Sequence, residues 1–180
     1  MYIPRDEAHL IDDCKNGVAA AQKYLYESYA RKMMGVCMRY ITNYETARDL
    51  MHDGFIKVFT RIDTFSHEGS FEGWMRRIFA TTALEYLRKN DVLKASYDID
   101  TSFDIQQDDE SAVERISAEE LREMIAALPA GFKAVFNLYA IEGYSHKEIG
   151  EMLNIAESTS RSQVTRARAI LQQRIKEKYG

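Results

Sequence analysis

Apolar residues recur along most of this chain at steps of three and four, the spacing of one face of an α-helix. From Val18 to about Ile41 the pattern runs through Tyr24, Leu25, Tyr29, Met33, Val36 and Tyr40. A second stripe, Met51, Phe55, Val58, Phe59 and Ile62, predicts a helix that starts after Asn43, a suitable N-cap. A third, Phe71, Trp74, Met75, Ile78, Thr82 and Tyr86 or Leu87, predicts a helix from Phe71 to Lys89. A shorter helix is expected over Asp6 to Asn16, ended by Gly17 in the left-handed position. "DTFSHEGS", Asp63 to Ser70, reads as a loop. No segment alternates as a strand would.

The periodicity fails from Asp91 to about Ala112, an acidic, turn-rich stretch with the composition of a tether. It resumes at Ser117-x-x-Glu120, a capping box in which side chain and backbone satisfy each other. Pro129 marks the boundary before a helix over Phe132 to Ile141, closed by Gly143. A second capping box, Ser145-x-x-Glu148, opens the next helix. The expected fold class is all-α. Two small helical domains, residues 1–92 and 114–180, are joined by a flexible acidic linker, residues 93–113.

Charge changes this picture because it is segregated. The net charge is −4, which by itself argues against nucleic acid. Between Asp91 and Glu120, however, ten acidic side chains face two basic ones, a balance of −8. Between Ser158 and Lys178 six basic side chains face one acidic, a balance of +5. A phosphate backbone responds to the local field, so the basic end of the chain is the candidate contact. Cys14 and Cys37 lie far apart with no CxxC, as expected of reduced, buried thiols in a cytoplasmic protein. No apolar run approaches the roughly 20 residues a bilayer requires. The start of the chain lacks the basic-then-apolar order of a secretory signal. His9, His52, His67 and His146 show no metal-ligand spacing, and no nucleophile stands near a base in the pattern. Neither a cofactor, a small-molecule substrate nor catalysis is expected.

"SHKEIGEMLNIAESTSRSQVTRAR", Ser145 to Arg168, reads as two short helices broken at Leu-Asn-Ile. Ile149, Leu153 and Ile155 point inward from the first, and positions 160, 164, 167 and 171 form one face of the second. The other face offers Ser158, Thr159, Arg161, Ser162, Thr165 and Arg168, with Gln163 and Arg166 on its flanks. A helix-turn-helix presents its second helix to the major groove in this way. Arginine and glutamine match base edges, and hydroxyls and further arginines match phosphate oxygens. Ala156 leaves the second helix without a side-chain cap, and Ser160 stands where an apolar residue is expected to pack better. Taken alone, the motif also fits a free-standing repressor or activator.

Upstream residues narrow the choice. "ARDLMHDGFIKVF" resembles the region 2.2 of extracytoplasmic-function (ECF) sigma factors, the part that binds core RNA polymerase. "FSHEGSFEGWMRRIFATTALEYLRK" resembles regions 2.3 and 2.4, which melt and read the minus-ten element. "LPAGFKAVFNLYAIEGYSHKEIGEMLNIAESTSRSQVTRARAIL" resembles region 4, which reads the minus-thirty-five element. The resemblance implies a sigma region 2 helical bundle and a sigma region 4 helix-turn-helix domain. It implies core polymerase and promoter DNA, both duplex and opened strand, as partners, with an anti-sigma factor as a further candidate. Asp49, His52, Asp53, Ile56 and Lys57 would meet the polymerase; His52 and Asp53 stand where the family usually shows Gln and Glu. Phe65, Ser66, His67, Gly69, Arg76, Arg77, Arg88 and Lys89 would meet minus-ten DNA. Ser158, Thr159, Arg161, Ser162, Gln163, Thr165, Arg166 and Arg168 would meet minus-thirty-five DNA, with Gln163 where many relatives carry arginine. The acidic linker, like its family equivalent, would thread toward the active-site and RNA-exit channels.

Overall fold

The structure, a computed structural model, describes residues 2–90, 92–93 and 116–179. Every regular element among them is helical. The acidic linker expected over 93–113 lies outside the described residues except for Leu93. Two compact units are formed, Met1–Glu85 and Tyr86–Gly180.

In the first unit, α1 (Glu7–Lys15) is capped by Asp6, whose carboxylate accepts from His9 N at 2.8 Å. It ends in a Schellman motif: Gly17 takes φ 73°, Val18 N donates to Asp13 O, and Gly17 N donates to Cys14 O. α2 (Ala19–Tyr40) buries Leu25, Met33, Val36 and Tyr40 of the stripe its spacing predicts, while Tyr24 and Tyr29 are only half-buried. Asn43 caps α3 (Tyr44–Arg61) by accepting from Thr46 N at 2.9 Å. A 3-10 turn, Ile62–Thr64, leads into the loop before α4 (Phe71–Lys89).

α3 and α4 approach closely because position 54 is glycine. A Cβ there would lie 2.5 Å from the ring of Phe79, which is itself fully buried and edge-on to Phe55. Phe79, Ala83 and Leu84 thus extend the α4 stripe beyond the residues its spacing singles out. Two ion pairs tie the surface: Lys32 Nζ to Glu72 at 2.6 Å and Lys57 Nζ to Glu85 at 2.7 Å. Cys14 and Cys37 are free and buried, and burial pushes their thiols up to about 11 and about 12. Both stay protonated and unreactive at neutral pH.

In the second unit, α5 (Ala118–Ala126) begins with the expected capping box: Ser117 Oγ accepts from Glu120 N, and Ser117 N donates to Glu120 Oε2 at 3.0 Å. Its last carbonyls are met by cations from elsewhere. Arg174 donates to the carbonyls of Met124 and Ala127, and Lys133 Nζ donates to that of Ala126 at 3.3 Å. Positive charge suits the negative end of a helix dipole. Lys133 is buried here, and desolvation lowers its pKa.

α6 (Ala130–Phe136) starts directly after Pro129, two residues before the periodicity predicts. It does not run on as an α-helix to Ile141: Asn137–Ile141 is a π-turn, with Glu142 N donating to Asn137 O at 2.9 Å. A π-turn inserts a residue, so the chain beyond it is rotated by about 100° relative to an unbroken α-helix. Gly143 at φ 79° then turns the chain into α7 (His146–Leu153). α8 (Glu157–Tyr179) packs against α5, α6 and α7. Leu128, Phe132, Ala167, Ile170 and Leu171 form a core at its centre, flanked by Met124, Ile125 and Phe136. Full burial of a side chain such as Phe132 contributes about 1.5–3 kcal/mol.

Candidate functional site

Four residues shape α7 and the turn that follows it. Ser145 and Glu148 close a capping box at the start of α7, with Ser145 N to Glu148 Oε2 at 2.9 Å. Asn154 ends α7 in the left-handed region at φ 55°. Gly150 lets the turn fold back tightly: a Cβ there would sit 2.8 Å from Ile155 O, while Ile155 N donates to Gly150 O at 3.0 Å. α8 leaves this turn with two distinct faces. Ser160, Gln163, Val164, Ala167 and Leu171 are buried; Ser158, Arg161, Ser162, Thr165, Arg166 and Arg168 are exposed, and Thr159 is half-buried.

Hydroxyls on the open face donate back to the helix, Ser162 Oγ to Thr159 O at 3.0 Å and Thr165 Oγ1 to Arg161 O at 3.1 Å. Their oxygens keep lone pairs for an outside donor. Arg161 pairs with the Glu157 carboxylate one turn earlier. Arg168 places its guanidinium carbon 5.7 Å from the centre of the Tyr139 ring.

Two expectations for α8 are corrected. Gln163 is 4% exposed and does not share the open face. It stands three residues after Ser160 and four before Ala167, which puts it on the inward face, and its Oε1 has no hydrogen-bond partner. Ser160 is not a packing defect, because its hydroxyl lies 3.0 Å from His146 Nδ1 in a fully buried position. The His146 ring stacks on Tyr139 with centroids 4.4 Å apart and planes 11° from parallel. Burial, and then the charge of Arg161, hold the imidazole below its ordinary value, so the ring is neutral at neutral pH. Tyr139 and His146 have no place among the site residues that the sequence suggests. The π-turn that brings Tyr139 to this position leaves no trace in a three-and-four pattern.

On α3, the spacing 49, 52, 53 and 56 makes one strip. Asp49, His52, Asp53 and Ile56 are all exposed, and Ile56, at 61%, is an open apolar residue. The His52 ring lies 6.4 Å from that of Tyr26. Lys57 differs: besides pairing with Glu85, its Nζ meets Thr82 Oγ1 at 3.1 Å, so it leans toward α4.

In the loop before α4, Ser66, His67 and Gly69 are exposed, and His67 and Gly69 take φ 61° and 85°. Phe65, expected to contact DNA, is 5% exposed. Its ring packs against Phe71 at 5.2 Å and Trp74 at 5.6 Å, so it anchors the loop from beneath. Ser70 Oγ accepts from Gly73 N at 3.0 Å to start α4. Arg76 is half-buried and 3.8 Å from Glu72; Arg77, Arg88 and Lys89 are exposed. Among the described residues, no cluster of three His, Cys, Asp or Glu side chains is placed to hold a metal ion, and no helix is long and apolar enough to cross a membrane.

Residues 25–92 match the sigma-70 region 2 family, and residues 118–171 match the sigma-70 region 4 family. Across the chain, the ECF RNA polymerase sigma-E factor of Haemophilus influenzae is 28% identical over 179 residues, 92% of this chain and 93% of that protein. The chain belongs to the ECF sigma factors. The sigma-E factor of Escherichia coli K12 is also similar to this sigma factor, 26% identical over 177 residues and 92% of each chain. Two solved structures share its fold. RpoE of Bartonella quintana, in complex with the anti-sigma factor NepR, has a TM-score of 0.55 and 19% identity, over 86% of this chain and 96% of that one. CnrH, in complex with the cytosolic domain of CnrY, has a TM-score of 0.53 and 18% identity, over 93% of this chain and 96% of that one. In this sigma factor α3 and α4 therefore belong to region 2, and α5 to α8 to region 4.

Proposed function

We infer that this sigma factor binds core RNA polymerase in the cytoplasm and directs it to promoters, reading the minus-ten element with residues 1–92 and the minus-thirty-five element with residues 114–180. Residues 93–113 form the tether between them. The observation that carries the reading is α8, where Ser158, Arg161, Ser162, Thr165, Arg166 and Arg168 share an open face above a buried one. Groups that match phosphates and base edges meet the duplex there. Gln163 and Phe65 support those surfaces from behind. Ser66, His67, Gly69, Arg76, Arg77, Arg88 and Lys89 meet the opened strand, where cations and a turned-out loop suit unstacked bases. Asp49, His52, Asp53 and Ile56 meet the polymerase through an acidic strip with one apolar contact, and Lys57 sits at its edge. The protein works by binding, with no chemical step of its own. An anti-sigma factor is the natural negative partner, since the similar RpoE is seen in complex with one.

The test is transcription in vitro. Purified protein is added to core polymerase with a library of promoter fragments, and start sites are mapped. New starts over core enzyme alone are the expected result. Absence of new starts, together with tight binding of the isolated protein to a symmetric site, would make it a free-standing regulator instead.

A further inference from the structure

Four side chains from three elements of region 4 meet in one chain of contacts. Ser160 on α8 is fully buried and lies 3.0 Å from Nδ1 of His146, the first residue of α7. The His146 ring is stacked almost parallel on Tyr139 of the π-turn. The Tyr139 ring carries the Arg168 guanidinium, 5.7 Å from its centre, which returns the chain of contacts to α8. The neutral imidazole can stand beside two arginines without repulsion.

Two of the three arginines of this face, Arg161 and Arg168, are held in different ways. Arg161 is held through one of its terminal nitrogens by Glu157, and that donor must change partner to meet DNA. Arg168 instead stands over the Tyr139 ring, its guanidinium carbon 5.7 Å from the ring centre, within cation–π range. A cation–π contact draws on the charge and occupies no hydrogen-bond acceptor, so the N–H fork of the guanidinium stays available. It also removes part of the rotamer freedom that an exposed arginine loses on binding. A ring braced by a parallel imidazole, itself tied to a buried hydroxyl, is a defined support rather than a mobile one.

We propose that Tyr139, braced by His146, is a positioning residue that pre-orients Arg168 for duplex DNA. The proposal rests on the reading of the open α8 face as the duplex contact. It separates the two arginines by role: Arg168 is ready before DNA arrives, and Arg161 is released on arrival.

The test uses the full chain in two measurements. In the first, the free protein is examined by NMR. The side-chain protons of Arg168 are expected to show an upfield ring-current shift in the wild type and in Tyr139→Phe, and to lose it in Tyr139→Ala. Absence of the shift in the wild type overturns the platform whatever happens with DNA. In the second, affinity for a fluorescent random-sequence duplex is measured by anisotropy across a salt series. Arg168→Ala should weaken binding and lower the salt slope by about one. Tyr139→Ala should weaken binding about two- to fivefold when Arg168 is present and have no further effect in the Arg168→Ala background. Tyr139→Phe should bind as the wild type does, because it keeps the ring. An equal loss in both backgrounds, no loss, or failure of the phenylalanine to rescue overturns the proposal while leaving α8 as the duplex face. An Arg168→Ala variant with unchanged affinity and slope overturns the underlying reading at that residue, and the proposal with it.

Discussion

Glu157 and Arg161 form an exposed pair one helical turn apart at the start of α8. The carboxylate favours the positive end of its helix, yet it faces the same side that the proposed function gives to DNA. Removing its charge relieves Arg161 and takes away a repulsion. Glu157→Gln is expected to raise affinity for random-sequence duplex about two- to threefold, as suits an exposed ion pair. Arg161→Ala is expected to weaken a selected promoter duplex by about 1–3 kcal/mol if it reaches a base edge. Anisotropy at two salt concentrations reads both, and a Glu157→Gln protein that binds more weakly would show that the carboxylate supports Arg161 rather than occupying it. At this scale the sequence misleads where a polar residue turns inward. Gln163 reads as a flank of the open face but is buried, whereas Ser160 is read onto the inward face and is found there. Ser160 finds a partner in His146, a pairing across fourteen positions that no local pattern encodes. Phe65 is the opposite case, an aromatic whose setting suggests DNA but which packs beneath its own loop.

Helix pairs carry the next set of consequences. At the α3–α4 crossing, Gly54 faces the ring of Phe79, which is 0% exposed and has nowhere to retreat. Gly54→Ala is expected to destabilise region 2 by about 1–3 kcal/mol through overpacking, read as a lower urea midpoint. In region 4, Glu120 Oε1 accepts from Lys178 Nζ at 2.7 Å and from Tyr179 OH at 2.6 Å. Lys178, then Tyr179 and the backbone and hydroxyl of Ser117, hold this carboxyl well below its ordinary value of 4.5. A depressed folded-state pKa contributes stability that is present above the unfolded value and is lost as pH falls toward the folded one. Region 4 should therefore lose stability as pH drops below about 4.5, and Glu120→Gln should remove that part of the dependence. Thermal melts between neutral pH and pH 3 compare the two; parallel curves would contradict the linkage. Most helices are legible because caps and stripes agree: Asn43, Ser117 and Ser145 all cap as their sequences promise. The π-turn at Asn137–Ile141 is not, because a three-and-four pattern absorbs one inserted residue without breaking.

For the whole molecule, the decisive property is the separation of opposite surfaces along the chain. The net charge of −4 conceals an acidic strip on α3 and a basic face on α8. If the strip binds polymerase, reversing it should spare the rest. Asp49→Lys together with Asp53→Lys is expected to abolish capture by immobilised core polymerase while region 4 keeps its melt and its duplex affinity. Retained capture would remove α3 from the polymerase contact. The division into two helical units can be read from the failure of periodicity after Asp91, and the meaning of each unit from short motifs such as "ARDLMHDGF". Periodicity cannot supply which side chains pair across long stretches. The contact of Glu120 with Lys178 and Tyr179 is such a case, and it has a consequence for synthesis. α5 emerges from the ribosome early but is held at its start by the last turn of α8 and at its end by Arg174. Region 2 can fold while the chain is still growing; region 4 has to wait until its final helix has been translated.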